Sequence, residues 1–177
     1  LGFMPLNHAI GFFGVLIPCL AFNGTFVAQS AFVPEGVLAA IERHRITFLF
    51  ATPTHYHLML EAPSFATRDL SSLDIICYGA SPTPFELLQR MANGFKSRLC
   101  HVYGTTETMC SLYQPAPLEN PDKLVAGFYS TLRVVRNGGS TTDTVAPGEE
   151  GELLIDATFD MIFTEYLDRP EVSAEKL

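Results

Sequence analysis

Three short apolar runs, at 46–51, 73–78 and 99–102, constrain this chain more than any other feature. Each has strand length and is apolar on both faces, and helix-start signals fall between them. Strands buried on both faces belong to parallel sheets covered by helices, because the crossovers place helices above and below the sheet. Pro34 opens a helix in which Val37, Leu38 and Ile41 recur at three- and four-residue spacing, with Glu42, Arg43 and Arg45 outward. Thr52-Pro53 sets a hydroxyl cap before a proline at the first helical position, where its missing N–H costs nothing. Thr83-Pro84-Phe85-Glu86 repeats that signal and adds a capping-box carboxylate, predicting a helix to about Asn93-Gly94. Upstream, 9–20 reads as a helix kinked at Pro18, and 25–29 as a short strand.

The expected fold class is therefore α/β, a mainly parallel sheet flanked by helices, over residues 1–123. Residues 124–177 begin a smaller β-rich subdomain. There, 132–136 and 152–155 are strand-like, Asn137-Gly138-Gly139 and Pro147-Gly148 are turns, and 171–176 reads as a helix cut by the chain end. Ligands of open parallel sheets bind beyond the carboxyl ends of the strands, which points to Ala51, Gly79 and Tyr103.

Composition narrows the function classes. Of 177 residues, 47% are hydrophobic and 17% charged, which fits a packed interior, and the net charge of −8 opposes broad contact with nucleic acid or an anionic membrane. The apolar stretch 9–22 is too short for the roughly 20 residues of a membrane span. Cys19, Cys77, Cys100 and Cys110 lack the paired spacing of a zinc site and read as reduced thiols of a cytosolic protein. The chain starts in mid-pattern without Met and reads as a piece of something longer. A serine hydrolase is set aside, since Gly79-Ala80-Ser81 is followed by Pro82 and Thr83 where a nucleophile elbow needs glycine. Neither a dinucleotide fingerprint nor a lysine-bearing phosphate loop is present.

The stretch His101-Val102-Tyr103-Gly104-Thr105-Thr106-Glu107-Thr108-Met109-Cys110 gathers an aromatic face, a glycine, hydroxyls and a carboxylate. A ring can stack on a base, the glycine admits close approach, hydroxyls can donate to phosphate, and Glu107 can hold a hard cation. The string resembles the Tyr-Gly-x-Thr-Glu motif of the adenylate-forming superfamily of acyl- and aryl-CoA ligases, luciferases and peptide-synthetase adenylation domains. Met4-Pro5-Leu6-Asn7-His8-Ala9-Ile10-Gly11, Phe50-Ala51-Thr52-Pro53-Thr54, Gly79-Ala80-Ser81-Pro82, Gly148-Glu149-Glu150-Gly151-Glu152-Leu153 and Tyr166-Leu167-Asp168-Arg169-Pro170-Glu171 resemble further segments of that family, in its order. Within it, the finer likeness is to aryl-CoA ligases of the halobenzoate type.

The resemblance implies an ATP-dependent acid–CoA ligase using ATP, Mg²⁺ and coenzyme A on an aromatic acid. It implies catalytic roles for His8, Thr106 and Glu107, with Glu107 on the metal, and nucleotide contacts from Gly79, Ala80, Ser81, Tyr103, Gly104, Thr105 and Thr106. The acid pocket it implies comprises His8, Ala9, Ile10, Phe50, Tyr78, Val102, Gly104 and Met109, with Phe50, Tyr78 and Val102 converging on one slot. Tyr78 departs from the small residue the family suggests. The family's phosphate loop would precede Leu1, and its ribose-binding Asp and catalytic Lys would follow Leu177. The isolated chain is therefore expected to be inactive and to bind no cofactor tightly. A cytoplasmic protein without a membrane span is expected, with a homodimer left open. Fatty-acyl-CoA synthetases and amino-acid adenylation domains stay open as relatives, and a non-catalytic module that binds a small carboxylate or serves as a scaffold is the alternative of another class.

Overall fold

The computed structural model describes residues 1–121, 123–127 and 130–177. They form two units, Leu1–Tyr103 with Tyr113–Val125, and Gly104–Leu112 with Ala126–Leu177. In the first unit a π-helical stretch, Ile10–Leu16, runs directly into α1 (Ile17–Ala21). Pro18 sits in the first turn of α1, where its missing N–H is tolerated, so the irregularity expected at the proline lies ahead of it. The strand expected over 25–29 reduces to one parallel bridge between Gly2 and Ala28. Gly2 N–H donates to Val27 O and Gln29 N–H to Gly2 O, both at 2.9 Å.

α2 (Pro34–His44) starts on its proline and buries Val37, Leu38, Ala40 and Ile41, the face its spacing marks. It ends where Arg45 turns left-handed at φ 51° and Ile46 N–H returns to Ile41 O at 3.1 Å. β1 (Phe48–Ala51) leads through Thr52 into α3 (Pro53–Leu60). His55 completes that cap, its Nδ1 lying 2.7 Å from the Thr52 hydroxyl and accepting the Thr52 N–H at 3.3 Å. β2 (Ile75–Gly79) precedes α4 (Phe85–Phe95), which buries Leu88, Met91 and Phe95. The capping box expected from Thr83 and Glu86 does not form. Pro84 occupies the cap position with extended backbone, which sets Thr83 one residue too early, and its buried hydroxyl has no hydrogen-bond partner among the described residues.

β3 (Arg98–Thr105), β4 (Met109–Gln114) and β5 (Val125–Ala126) complete a sheet of order β1-β2-β3-β4-β5. The first three strands are parallel, with Phe50 opposite Cys77, Cys77 opposite Cys100, and Gly79 opposite Val102. Successive side chains of a strand alternate between faces, so this register sorts the apolar residues into two clusters. Leu49, Ala51, Ile76, Tyr78 and Leu99 pack with α2, α3 and α4 residues such as Leu38, Tyr56, Met59 and Met91. On the other face Phe50 and Cys77 pack with Val15, and Ile10, Phe26, Cys100 and Val102 lie against them. The α/β architecture expected from sequence is thus observed.

In the second unit β6 (Leu132–Val135) and β7 (Glu152–Ile155) pair antiparallel, with Leu132 opposite Ile155 and Val135 opposite Glu152, as the turn signals between them require. α5 (Pro170–Lys176) begins on its proline near the expected start. Among the described residues no helix is long and apolar enough to cross a membrane.

Two positions hold the parallel sheet in register. The fully buried Tyr56 hydroxyl lies 3.0 Å from Leu49 O and 2.7 Å from Cys77 O, sharing its proton between β1 and β2, and burial pushes its pKa far up, so it remains a donor. Tyr56→Phe should leave those carbonyls short of a donor and cost about 1–3 kcal/mol, read from the urea midpoint. At Gly79 an added Cβ would stand 2.1 Å from Val102 O. Gly79→Ala should force the ends of β2 and β3 apart and destabilise by roughly 1–3 kcal/mol, visible as a lowered Tm.

Candidate functional site

The carboxyl edge of the parallel strands gathers several of the sequence-selected residues of the first unit. β1 ends at Ala51 and β2 at Gly79, which is paired with Val102 one residue before Tyr103. Gly79 is buried, whereas Ala80 and Ser81 are exposed. Ala80 adopts φ 68°, a left-handed conformation that costs a residue with a Cβ about 1–2 kcal/mol. Backbone strain of that kind clusters at ligand-holding loops. Tyr103 is 44% exposed.

His8 lies exposed just ahead of the π-helical stretch, and its Nδ1 accepts the Ile10 N–H at 3.2 Å. That bond puts the proton of a neutral ring on Nε2 and orients the imidazole at the helix start. A π segment beside a candidate ligand residue fits the frequent use of such segments at functional sites. Ala9 caps the segment, Ile10 begins it, and Ile10, Phe50 and Val102 share one apolar cluster. Glycine at 14 admits this packing, since a Cβ there would lie 3.0 Å from the Phe50 ring.

Tyr78 does not join that slot. It is 2% exposed and belongs to the cluster on the opposite face of the sheet, with Ala51 and Ile76. Its ring stacks on that of His101, with centroids 4.8 Å apart and planes 1° from parallel, and burial pushes the pKa of its phenol up. The expected convergence of Phe50, Tyr78 and Val102 therefore fails at Tyr78. Phe50 pairs with Cys77, so the next residue along β2 must face the other way.

In the second unit the Thr-Thr-Glu-Thr stretch forms the tip of a β-hairpin. Gly104 and Thr105 end β3, residues 106–108 turn, and Met109 starts β4 at φ 51°. A Cβ on Gly104 would stand 1.5 Å from Met109 O, so glycine is obligatory for the hairpin itself. Thr108 locks the turn, its hydroxyl accepting the Thr105 N–H at 3.3 Å and lying 3.1 Å from the Thr105 hydroxyl. Ser111 Oγ donates to Thr108 O at 2.9 Å. Thr106 stays exposed at the tip.

Glu107 is the most elaborated side chain of the hairpin. Tyr166 Oη donates to its Oε1 at 2.7 Å, and Phe163 N–H donates to its carbonyl at 2.8 Å. The Tyr166 phenol, the residue's own N–H and the Thr105 hydroxyl hold the Glu107 carboxyl below the usual range, against a small desolvation cost. It is thus an ionised carboxylate among hydroxyl oxygens. Among the described residues no group of three or more His, Cys, Asp or Glu could hold a metal. One carboxylate with hydroxyls suits a hard cation that takes its remaining ligands from water and phosphate, as Mg²⁺ does. Tyr166 and Phe163 were not selected from sequence as site residues. The only signal was the Tyr-Leu-Asp-Arg-Pro run, which marks a helix start and says nothing of a partner 59 residues away.

Comparison with known proteins adds an independent line. The chain is 37% identical over 177 residues to a 4-chlorobenzoate–CoA ligase of Arthrobacter sp, covering 100% of this chain and 34% of that protein. It is 33% identical over 174 residues to a feruloyl-CoA synthase of Amycolatopsis sp, covering 98% of this chain and 35% of that protein. An amide bond synthetase of Marinactinospora thermotolerans superposes with a TM-score of 0.82 at 27% identity, over 98% of this chain and 35% of that one. The chain thus spans about a third of the length of these relatives. The family model described as AMP-binding enzyme matches residues 1–167, and with the aryl-CoA ligase relatives it establishes that this chain belongs to the AMP-binding, adenylate-forming enzyme family.

Proposed function

We propose that this chain is part of an ATP-dependent acid–CoA ligase acting on an aromatic carboxylic acid. The observation that carries the reading is Glu107, an ionised carboxylate held by Tyr166 among hydroxyls at the tip of a glycine-dependent hairpin. Family membership over 1–167 and the aryl acids in the names of both ligase relatives support it. In the first half-reaction a carboxylate oxygen attacks the α-phosphorus of ATP and pyrophosphate leaves. In the second, the CoA thiolate attacks the acyl carbon, forms the thioester and expels AMP. Residues 1–123 would supply the acid and adenine contacts, and 124–177 would begin the β-rich subdomain.

The residue roles follow from what each side chain can offer. Tyr103 stacks on adenine, framed by Gly79, Ala80 and Ser81, while Thr106 donates to the α-phosphate and Gly104 and Thr105 add nucleotide contacts. His8 stands beside the reacting carboxylate. Ala9, Ile10, Phe50 and Val102 are the acid-slot residues of the first unit, and Gly104 and Met109 are those that the family resemblance adds. Glu107 and the neighbouring hydroxyls would hold Mg²⁺, which when bound neutralises phosphate charge. Positioning and charge neutralisation are the main demands of such a transfer, so an oriented hairpin suffices without a dedicated metal cage. A cytoplasmic location belongs to the proposal, and a homodimer stays open.

In the full-length enzyme, Glu107→Gln should slow acid-dependent ATP–pyrophosphate exchange about 100-fold while leaving acid binding intact. Exchange at the wild-type rate with unchanged Mg²⁺ dependence would reject the assignment. Phe50→Ala should widen the slot and shift preference toward bulkier para-substituted benzoates by roughly 1–3 kcal/mol in relative kcat/KM. Tyr78→Ala should instead act on the core, costing about 3–5 kcal/mol of stability without a matching change in preference. A specificity change in Tyr78→Ala at unaltered Tm would return that side chain to the slot.

A further inference from the structure

The segment 163–173 does more to Glu107 than a passing surface contact would. Phe163 N–H grips the Glu107 carbonyl at 2.8 Å while the Tyr166 phenol grips Oε1 at 2.7 Å, so main chain and side chain are both fixed from one stretch. Tyr166 is itself held. Its ring packs on Phe163 with centroids 4.7 Å apart, its N–H donates to Ser173 Oγ at 2.8 Å, and its carbonyl accepts the Arg169 N–H at 3.1 Å. Ser173, buried at 6% exposure on α5, donates onward to Arg169 O at 2.9 Å. A chain of hydrogen bonds thus runs from the buried face of a short helix to one carboxylate oxygen.

We propose that Tyr166 is a positioning residue for the reaction: its phenol fixes the Glu107 carboxylate in the orientation that receives the nucleotide-bound divalent cation. This rests on the ligase reading and deepens it. The choice of donor is the chemical argument. A carboxylate offers about four lone-pair sites, so one phenol bond orients it and leaves acceptor capacity for a cation. A neutral O–H does this without cancelling the negative charge, whereas an Arg or Lys at the same place would compete with the cation electrostatically. Partners that orient a metal ligand typically contribute 10- to 100-fold in metal affinity or activity.

The test uses the full-length enzyme, with Mn²⁺ as the spectroscopic probe and α,β-methylene-ATP as the unreactive nucleotide. Tyr166→Phe removes one oxygen and preserves the ring packing. It should weaken Mn²⁺ binding, followed by electron paramagnetic resonance, by about 10-fold. In turnover, excess Mg²⁺ should restore kcat while the KM for the acid stays unchanged. Ser173→Ala, which loosens the Tyr166 backbone and keeps the phenol, should weaken Mn²⁺ binding in the same direction but less. Combined with Glu107→Gln, Tyr166→Phe should add no further loss, because the two act as one unit. Wild-type Mn²⁺ affinity in Tyr166→Phe beside a weakened Glu107→Gln would overturn the role of Tyr166 and leave that of Glu107. A full additional loss in the double variant would overturn it too. Wild-type affinity in Glu107→Gln would overturn the metal assignment itself and this inference with it.

Discussion

The parallel pairing of β2 on β3 sets the geometry of the first unit, and it depends on an absent side chain. Where Gly79 lies against Val102 O there is no room for a methyl group, so the two strands stay in register up to their carboxyl ends. Beyond that point the chain turns through Ala80 at positive φ, a conformation that persists only because its surroundings impose it. In the function proposed, the flat adenine sits on these strand ends. Tyr56 reinforces the arrangement from the helical side by offering one proton to carbonyls of both β1 and β2.

Alternation then divides the packing between the faces of the sheet. Phe50, Cys77 and Cys100 form one row and Ala51, Tyr78 and His101 another, each row being cross-strand neighbours in the parallel register. The first row meets the π-helical stretch that follows His8 and supplies apolar walls at Ile10, Phe50 and Val102. In the second, Ala51 and Tyr78 are buried in the cluster that α2, α3 and α4 cover. Tyr78 and Phe50 therefore face different surroundings, although both are aromatic and both lie near strand ends.

What the sequence disclosed follows from the range of the signals. Helix starts at Pro34 and Pro53 and strands at 48–51 and 75–79 were legible because proline at the first helical turn and doubly apolar runs act locally. The capping box at Thr83 was misread by one position, since Pro84 can serve as cap or as first helical residue and only the backbone decides. The side on which Tyr78 falls depends on inter-strand register, which no single segment encodes. β4 escaped notice because the turn at 106–108 contains neither Asn-Gly nor Asp-Gly. The motif residues of the site were legible as chemistry, while the bond between Glu107 and Tyr166 was not, because hydrogen bonds across 59 residues leave no local pattern.

A chain of net charge −8 has no general attraction for a nucleotide, so recognition must come from directed groups. In the function proposed, the hairpin supplies them in a compact form. Gly104 lets β3 approach β4, Thr108 ties the turn, and Thr106 is left exposed at its tip. Glu107 adds one more negative charge beside the place proposed for phosphate, which is repulsive unless a cation stands between them. In the function proposed, that requirement favours a phenol as its partner. The carboxylate must remain charged to draw in the cation, yet it must not wander, and a neutral donor anchored through Ser173 meets both conditions. An unpartnered carboxylate would keep the charge and lose the orientation, and a salt bridge would keep both but set a second fixed cation in competition with the one to be bound.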